Sequence, residues 1–254
     1  MTGSLEGKVC LVTGASRGIG AAVAEYLGEL GATVIIHYGK NRDLAEKVSC
    51  RLPGDRHIVL GTDLSDPDSV TGFIDHVMQK VDRLDVLVNN AGIFTPHPAL
   101  ETSAEDWLQS WQKITAVNLI SPAILCQAAA KVMAKQGGGR IINIGSRGAF
   151  RGEPDCPAYG ASKAGLHAMS QSLAKSLGPS NIQVFAVAPG FVETDMAKSH
   201  LDGPEGVSIR AQSPMNRVAK PEEIAELVGF LATTGATFMT GGIIDLNGAS
   251  YLRN

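Results

Sequence analysis

Thr13-Gly-Ala-Ser-Arg-Gly-Ile-Gly20 is the stretch on which the reading of this chain turns. A short apolar run at residues 9–12 precedes it, and an alanine-rich stretch of helical character follows at 21–30, stopped by Gly31. Strand, glycine turn and helix in that order make half of a βαβ unit. Glycines at 14, 18 and 20 let backbone N–H groups come close to an anion such as a pyrophosphate, which then sits at the positive end of the helix. The spacing is GxxxGxG, not the GxGxxG fingerprint, and a tight βα turn without a ligand uses the same glycines. The surroundings therefore decide.

Working outward, the alternation continues to the end of the chain. Apolar runs predict strands at 33–36, 58–60, 86–88, 141–144, 183–188 and 242–246. Helices are expected at 41–51, 104–134, 159–177 and 221–231, the last opening with Pro221. Another is expected at 66–81, where Val70, Phe73, Ile74, Val77 and Val81 fall at helical spacing. Strands apolar on both faces, alternating with helices, imply a mostly parallel sheet covered on each side. The expected fold is thus α/β, a Rossmann-type doubly wound sheet of seven strands, in one domain spanning 1–254. Two connections are long and rich in Gly, Pro and charge, at 145–157 and 190–214. Each follows a strand, where open α/β sheets bind ligands, and 190–214 is the candidate substrate loop.

Composition narrows the function classes. With 22 Lys+Arg against 25 Asp+Glu, the net charge of −3 argues against the basic face of a nucleic-acid binder. No window approaches the ~18 apolar residues expected of a membrane span, and the N-terminus has no apolar core of a leader. Cys10, Cys50, Cys126 and Cys156 lie far apart, which favours reduced thiols in a cytoplasmic protein. Scattered histidines give no metal-ligand spacing, so no metal is expected.

A dinucleotide fold that binds NAD places an acidic residue about 20 positions beyond the glycine turn, on the ribose 2′-hydroxyl. Here the second strand ends His37-Tyr38-Gly39-Lys40, with no carboxylate. Arg17 and Lys40 can pair with a 2′-phosphate instead, so NADP(H) is expected ahead of NAD(H); both are also ordinary surface charges.

Further on stand Asn89-Asn-Ala-Gly92, Asn118, Ser146, Tyr159-Gly-Ala-Ser-Lys163 and Pro189-Gly-Phe-Val-Glu-Thr194. In this order and placement the set resembles the short-chain dehydrogenase/reductase family, in its compact single-domain branch. The resemblance implies a catalytic tetrad at Asn118, Ser146, Tyr159 and Lys163. It also implies cofactor contacts at Gly14, Ser16, Arg17, Gly18, Ile19 and Gly20 in the glycine turn, and at Tyr38, Lys40, Asp63 and Leu64 beyond it. Asn90, Ala91 and Gly92 would line the cofactor, with Asn89 bracing the sheet, and Pro189, Gly190, Val192 and Thr194 would hold the nicotinamide carboxamide. Lys163 would hold the ribose, and Asn118 a water of a proton relay.

The chemistry also follows from the residues. Reducing a ketone requires hydride on carbon and a proton on oxygen. A phenol of pKa about 10 is a plausible acid, and a nearby cation lowers that value. Tyr159 and Lys163, at i and i+4, share a helix face, and Ser146 can hydrogen-bond the developing oxyanion.

The group most resembled is the 3-oxoacyl-acyl-carrier-protein reductases and the carbonyl reductases like them. Two arginines that such enzymes present to the acidic carrier are matched here by Gly137 and Ser180, with Arg140 and Lys175 nearby as substitutes. A small ketone or secondary alcohol is therefore expected ahead of an acyl carrier protein, and a non-catalytic nucleotide-binding protein is the rival class. Arg147 and Arg151 can recognise an anionic substrate or form loop salt bridges, and Cys156 is a reactive or a plain loop thiol. A homotetramer is expected from the resemblance.

Overall fold

Seven strands, β1 (Val9–Val12), β2 (Thr33–Tyr38), β3 (Ile58–Gly61), β4 (Val86–Asn89), β5 (Gly139–Ile144), β6 (Ile182–Pro189) and β7 (Ile243–Leu246), form one sheet in the order β3-β2-β1-β4-β5-β6-β7. Every neighbouring pair is parallel, from Val9 opposite Thr33 at one side to Leu246 opposite Pro189 at the other. Strand order reverses between β1 and β4, which opens a crevice at their carboxyl ends. The structure, a computed structural model, describes residues 4–253.

Side chains alternate across the sheet, so each strand feeds two cores. Val12, Ile36, Val88, Ile142 and Phe185 pack on one face against α1 (Gly18–Glu29), α2 (Arg42–Ser49) and, far along the chain, α11 (Pro221–Leu231). Leu11, Ile35, Leu87, Ile141 and Val184 pack on the other. The short helices α3 (Pro67–Val70) and α4 (Phe73–Met78), with α5 (Ala104–Thr115), α6 (Ser121–Lys135), α7 (Gly148–Arg151), α8 (Pro157–Leu177), α9 (Asp195–Leu201) and α10 (Gly206–Ala211), complete the chain. Local chemistry sets their starts. Asn41 accepts from Leu44 N at 3.4 Å, Ser103 accepts from Asp106 N at 3.1 Å, and the Glu223 carboxylate accepts from Lys220 N at 2.8 Å.

Four expectations change. The helix at 66–81 is two pieces, because Thr71 is extended and Gly72 takes φ 87°, a left-handed conformation that breaks the run. The helix at 104–134 carries a π-type turn, Ala116–Ile120, between α5 and α6. The 190–214 connection is not irregular, since α9 and α10 lie inside it with Ala197, Leu201 and Ile209 buried against Val218. Finally, the continuous run Ala104–Lys135 is long and apolar enough to cross a membrane by length and mean hydropathy (1.4), contrary to the sequence reading. Its apolar side is spent on the sheet: Leu125, Cys126, Ala129 and Met133 are fully buried in the second core.

Candidate active site

The glycine turn is built by contact as much as by backbone freedom. Gly14 has φ 63° and lies so close to β4 that a Cβ there would stand 2.9 Å from Ala91 Cα. A Cβ on Gly20 would stand 2.3 Å from Gly14 O and 2.4 Å from Asn90 Nδ2. Asn90 stitches the turn, donating from Nδ2 to Thr13 O (2.9 Å) and Gly14 O (3.2 Å), while Thr13 Oγ1 accepts from Asn90 N and Ala91 N. Arg17, at the head of α1, is extended, and among the described residues the helix has no side-chain cap there and no acid in its first turn. The positive end of a 12-residue helix is thus left for an anionic group, beside a turn shaped by missing side chains. The residues present fit a dinucleotide pyrophosphate.

His37, at the end of β2, fixes this turn in a way the sequence reading missed. Its Nδ1 accepts from Gly14 N at 3.1 Å, so Nε2 carries the proton and donates to Thr62 O at 3.1 Å. Burial drives its pKa down to about 4, which keeps the imidazole neutral and able to accept. The next residues diverge. Tyr38 is half-buried with its ring over Gly61, and Lys40 is exposed. Arg17 is exposed, 4.0 Å from Asp195. Asp63 is exposed and turned inward, accepting from Ser65 N (2.8 Å) and Ser65 Oγ (2.7 Å), which holds its pKa below the ordinary carboxylate range with help from Lys40 and Lys113. Leu64 is buried in the second core.

On the far side of the crevice, β5 and α8 bring Ser146, Tyr159 and Lys163 together. The Tyr159 phenol faces the Ser146 hydroxyl within hydrogen-bonding reach, and Ser146 Oγ accepts from Gly148 N at 3.0 Å. Lys163 is buried, donates from Nζ to Ile144 O at 2.8 Å and lies 5.8 Å from the Tyr159 ring centre. Asn118 sits in the π-type turn, where Oδ1 accepts from Ile93 N (2.9 Å) and Nδ2 donates to Ile93 O (3.0 Å) and Ser162 Oγ (3.2 Å). π-type insertions often mark functional positions, and this one turns Asn118 toward the Ile93 segment after β4. Gly92 joins the two sides: a Cβ there would lie 3.4 Å from Lys163 Nζ and 3.5 Å from Asn118 Oδ1.

The electrostatics correct one expectation. Burial raises the Tyr159 pKa to about 12, and Ser146 only partly opposes it. Burial also brings the Lys163 pKa down, to about 8. In this state the phenol is a held proton.

Comparison with known proteins agrees with the geometry. A family model described as enoyl-(acyl carrier protein) reductase matches residues 14–248. A 3-oxoacyl-[acyl-carrier-protein] reductase from Pseudomonas aeruginosa is 39% identical over 251 residues, 98% of this chain and 99% of that protein. One from Aquifex aeolicus is 39% identical over 250 residues, 97% and 98% of the two chains. A dehydrogenase/reductase from Sinorhizobium meliloti superposes with a TM-score of 0.90 at 34% identity, covering 98% of this chain and 97% of that one. The chain belongs to the short-chain dehydrogenase/reductase family.

As a short-chain dehydrogenase/reductase it is an oxidoreductase acting between a carbonyl and an alcohol. The fold also gathers the residues expected after β6. Pro189 O accepts from Arg147 N at 3.0 Å, tying that strand to the Ser146 loop. A Cβ on Gly190 would stand 3.1 Å from Asn247 Cα, and one on Gly18 would stand 3.3 Å from Thr194 Cγ2. Val192 is buried and bridges to Ala219, and Asn89 braces the sheet by donating to Asn143 Oδ1 at 2.8 Å. Ser16 and Ile19 are half-buried within the turn.

Phe94 and His97 carry no signal in the sequence. Phe94 packs edge-on against the Tyr159 ring, 5.1 Å between centres. Buried His97 accepts from Ala158 N at 3.2 Å, donates to Thr95 O at 2.8 Å and so anchors the start of α8. Cys156, next to that start, is buried and donates to Thr95 O at 3.1 Å; burial raises its pKa, so it is a structural thiol. Arg140 is buried, donating to Leu231 O and Thr237 Oγ1, and offers no docking charge.

Proposed function

We propose that this short-chain dehydrogenase/reductase is an NADPH-dependent reductase of a ketone or aldehyde, reversible to alcohol oxidation, with Tyr159 as the proton donor. The observation that carries the reading is the half-buried Tyr159 phenol beside Ser146, with the buried Lys163 ammonium one helical turn behind it. Bound nicotinamide supplies the hydride. Ser146 donates to the carbonyl oxygen, and the Tyr159 O–H passes its proton to that oxygen as negative charge grows there. Lys163, held by Ile144 O, faces the phenolate left behind and stabilises it. Asn118, fixed to the Ile93 backbone beside Lys163 Nζ, is placed to hold a water that returns the proton.

The cofactor would lie with its pyrophosphate on Gly14, Ser16, Gly18, Ile19 and Gly20, and its adenosine by Tyr38, Asp63 and Leu64. Asn90, Ala91, Gly92 and the Pro189–Thr194 segment would line the rest. The end of β2 lacks a carboxylate, and the exposed Lys40, with Arg17 held only loosely by Asp195 at 4.0 Å, can meet a 2′-phosphate, which supports NADPH over NADH. Residues 1–254 would act as one domain in the cytosol, with 190–214 closing over substrate. Exposed Phe230, Phe238 and Met239 beside β7 support assembly into a homotetramer.

A second substrate reading is reduction of a 3-oxoacyl group on an acyl carrier protein, favoured by the full-length similarity to the reductases of Pseudomonas and Aquifex. Against it stand Gly137 and Ser180 where carrier-binding arginines are expected, and the burial of Arg140, which leaves Lys175 alone. NADPH oxidation with free ketones, sugars, quinones and acetoacetyl thioesters tests both. Turnover of free ketones is the expected result. Turnover confined to carrier-bound thioesters selects the second reading, and no turnover with any compound overturns both.

A further inference from the structure

The geometry points to an anion-binding subsite at Arg147, built for a carboxylate or phosphate group and backed onto the loop that carries Ser146. Arg147 is 97% shielded from solvent, with 3% of its surface exposed. Its guanidinium donates to Ser250 Oγ through Nη1 and to Gln212 Oε1 at 2.6 Å through Nη2, and lies 5.2 Å from the Phe191 ring centre. A second cation, Arg151, reaches the same Gln212 oxygen at 3.3 Å. Two guanidiniums therefore converge on one neutral amide oxygen, with the single carboxylate of Glu153 acting on both.

The surrounding carboxylates offset the two positive charges only in part. Glu153 lies 3.6 Å from Arg151, Glu223 is held by both nitrogens of Arg217 at 2.7 Å, and Asp245 is held by Arg253 at 2.7 Å. Each acid has its own arginine, and among the described residues Arg147 has no ion pair. Burial, reinforced by Arg151 and opposed by Glu153, brings its pKa down to about 10. A buried charge is costly unless paired, and the pairing oxygen would have to enter from outside.

There is room for it. Arg147, Phe191 and Ser250 line a cavity of about 300 Å³, the size of a small ligand pocket, whose other charged lining residues, Arg217, Glu223 and Asp245, are engaged in the ion pairs above. The other polar groups of this wall are already satisfied: Ser213 donates to Gly248 O, Asn247 to Tyr251 O, and Ser250 to Asn247 O. Arg147 keeps donors to spare, since a guanidinium has five and two are engaged here. Its planar fork suits the two oxygens of a carboxylate or phosphate.

The site also touches the reaction. Arg147 follows Ser146 directly, and its backbone N–H donates to Pro189 O at 3.0 Å. An anion drawn to the guanidinium therefore pulls on the segment that positions Ser146. Its source is either the acid group of a carbonyl substrate or a separate small acid.

Calorimetric titration of the full chain with inorganic phosphate and with succinate tests the subsite without any turnover, so its result is independent of the reductase reading. Saturable binding is expected, at least tenfold weaker in Arg147→Gln. Gln212→Glu places a carboxylate oxygen where the shared amide oxygen now lies. That variant should bind phosphate at least tenfold more weakly and melt at a higher temperature than the parent in the absence of added anion. It keeps the test open if Arg147→Gln fails to fold. Substrate kinetics then separate the sources. A substrate-borne acid raises KM for acid-bearing carbonyl compounds relative to neutral ones in Gln212→Glu, whereas a separate acid leaves that ratio alone and is not displaced by substrate. Equal anion binding by the parent and both variants, or no binding by the parent, overturns the subsite.

Discussion

The glycine turn after β1 and the Ser146 loop after β5 are both strand-to-helix crossings of one parallel sheet, yet they are held in opposite ways. The first is fixed by neutral, short-range contacts: glycines pressed on Ala91 and Asn90, with a neutral His37 accepting from Gly14 N. The second is held by charge and by distant partners, with Arg147 on Gln212 and Ser250 and Arg151 beside Glu153. Their histidines show the same contrast. His37 uses both ring nitrogens, whereas His167, buried one turn beyond Lys163 and stacked 5.1 Å from Phe150, finds a partner for neither among the described residues. The first crossing is thus a rigid cast of neutral contacts, while the second is built from charged side chains.

The largest effect should come from the catalytic side. On the proposed mechanism Tyr159→Phe removes the proton passed to the carbonyl oxygen, and kcat should fall by about 10²–10⁴-fold while the affinity for NADPH, read by fluorescence titration, holds. An unchanged kcat would sink the assignment.

Gly20→Ala attacks the rigid side. Its Cβ would meet Gly14 O at 2.3 Å, a backbone atom that cannot yield. A stability loss of about 1–3 kcal/mol in urea unfolding is expected, together with weaker NADPH binding. If the variant is as stable as the parent, the turn is less tightly cast than the contacts indicate.

Acid should strain both sides. His37 and His167 both have pKa values lowered by burial from 6.5 to about 4 in the fold. As pH falls below 6.5 the unfolded chain takes up these protons first. Stability present above that value is therefore lost as pH drops toward about 4, at up to about 1.4 kcal/mol per pH unit for each histidine. Urea midpoints across this range should show the loss. His167→Leu should flatten it by about half, and an unaltered slope would show that His167 does not titrate as its burial implies.

The smallest expected effect is cofactor choice. Arg17→Ala combined with Lys40→Ala should raise KM for NADPH about tenfold, about 1.4 kcal/mol of lost phosphate attraction, with little change for NADH. A preference for NADH in the unaltered protein would overturn the NADPH assignment.

Much of the fold was legible because its signals are local. Apolar runs of strand length, Gly31 after α1 and Pro221 at the head of α11 mark their elements whatever the rest of the chain does. That Tyr159 and Lys163 share one helix face was legible for another reason: they stand one helical turn apart in the sequence. What stayed hidden depends on approach between distant segments. The helix break at Gly72, the π-type turn at Asn118 and the helices within 190–214 each answer to packing or backbone geometry that periodicity does not report.

By itself, the sequence determined a doubly wound α/β chain with a glycine turn and a Ser–Tyr–Lys set, because hydrophobic period and residue chemistry are written along the chain. Only the tertiary structure decided the protonation states and the loop charges. His37 is neutral because it is buried between Gly14 and Thr62, and Tyr159 is held as an acid because burial outweighs Ser146. Arg147 is held by neutral partners that come from residues 65 and 103 positions away, and among the described residues it forms no ion pair. Desolvation and Coulomb attraction depend on distance in space, and that distance is set only when the sheet has closed.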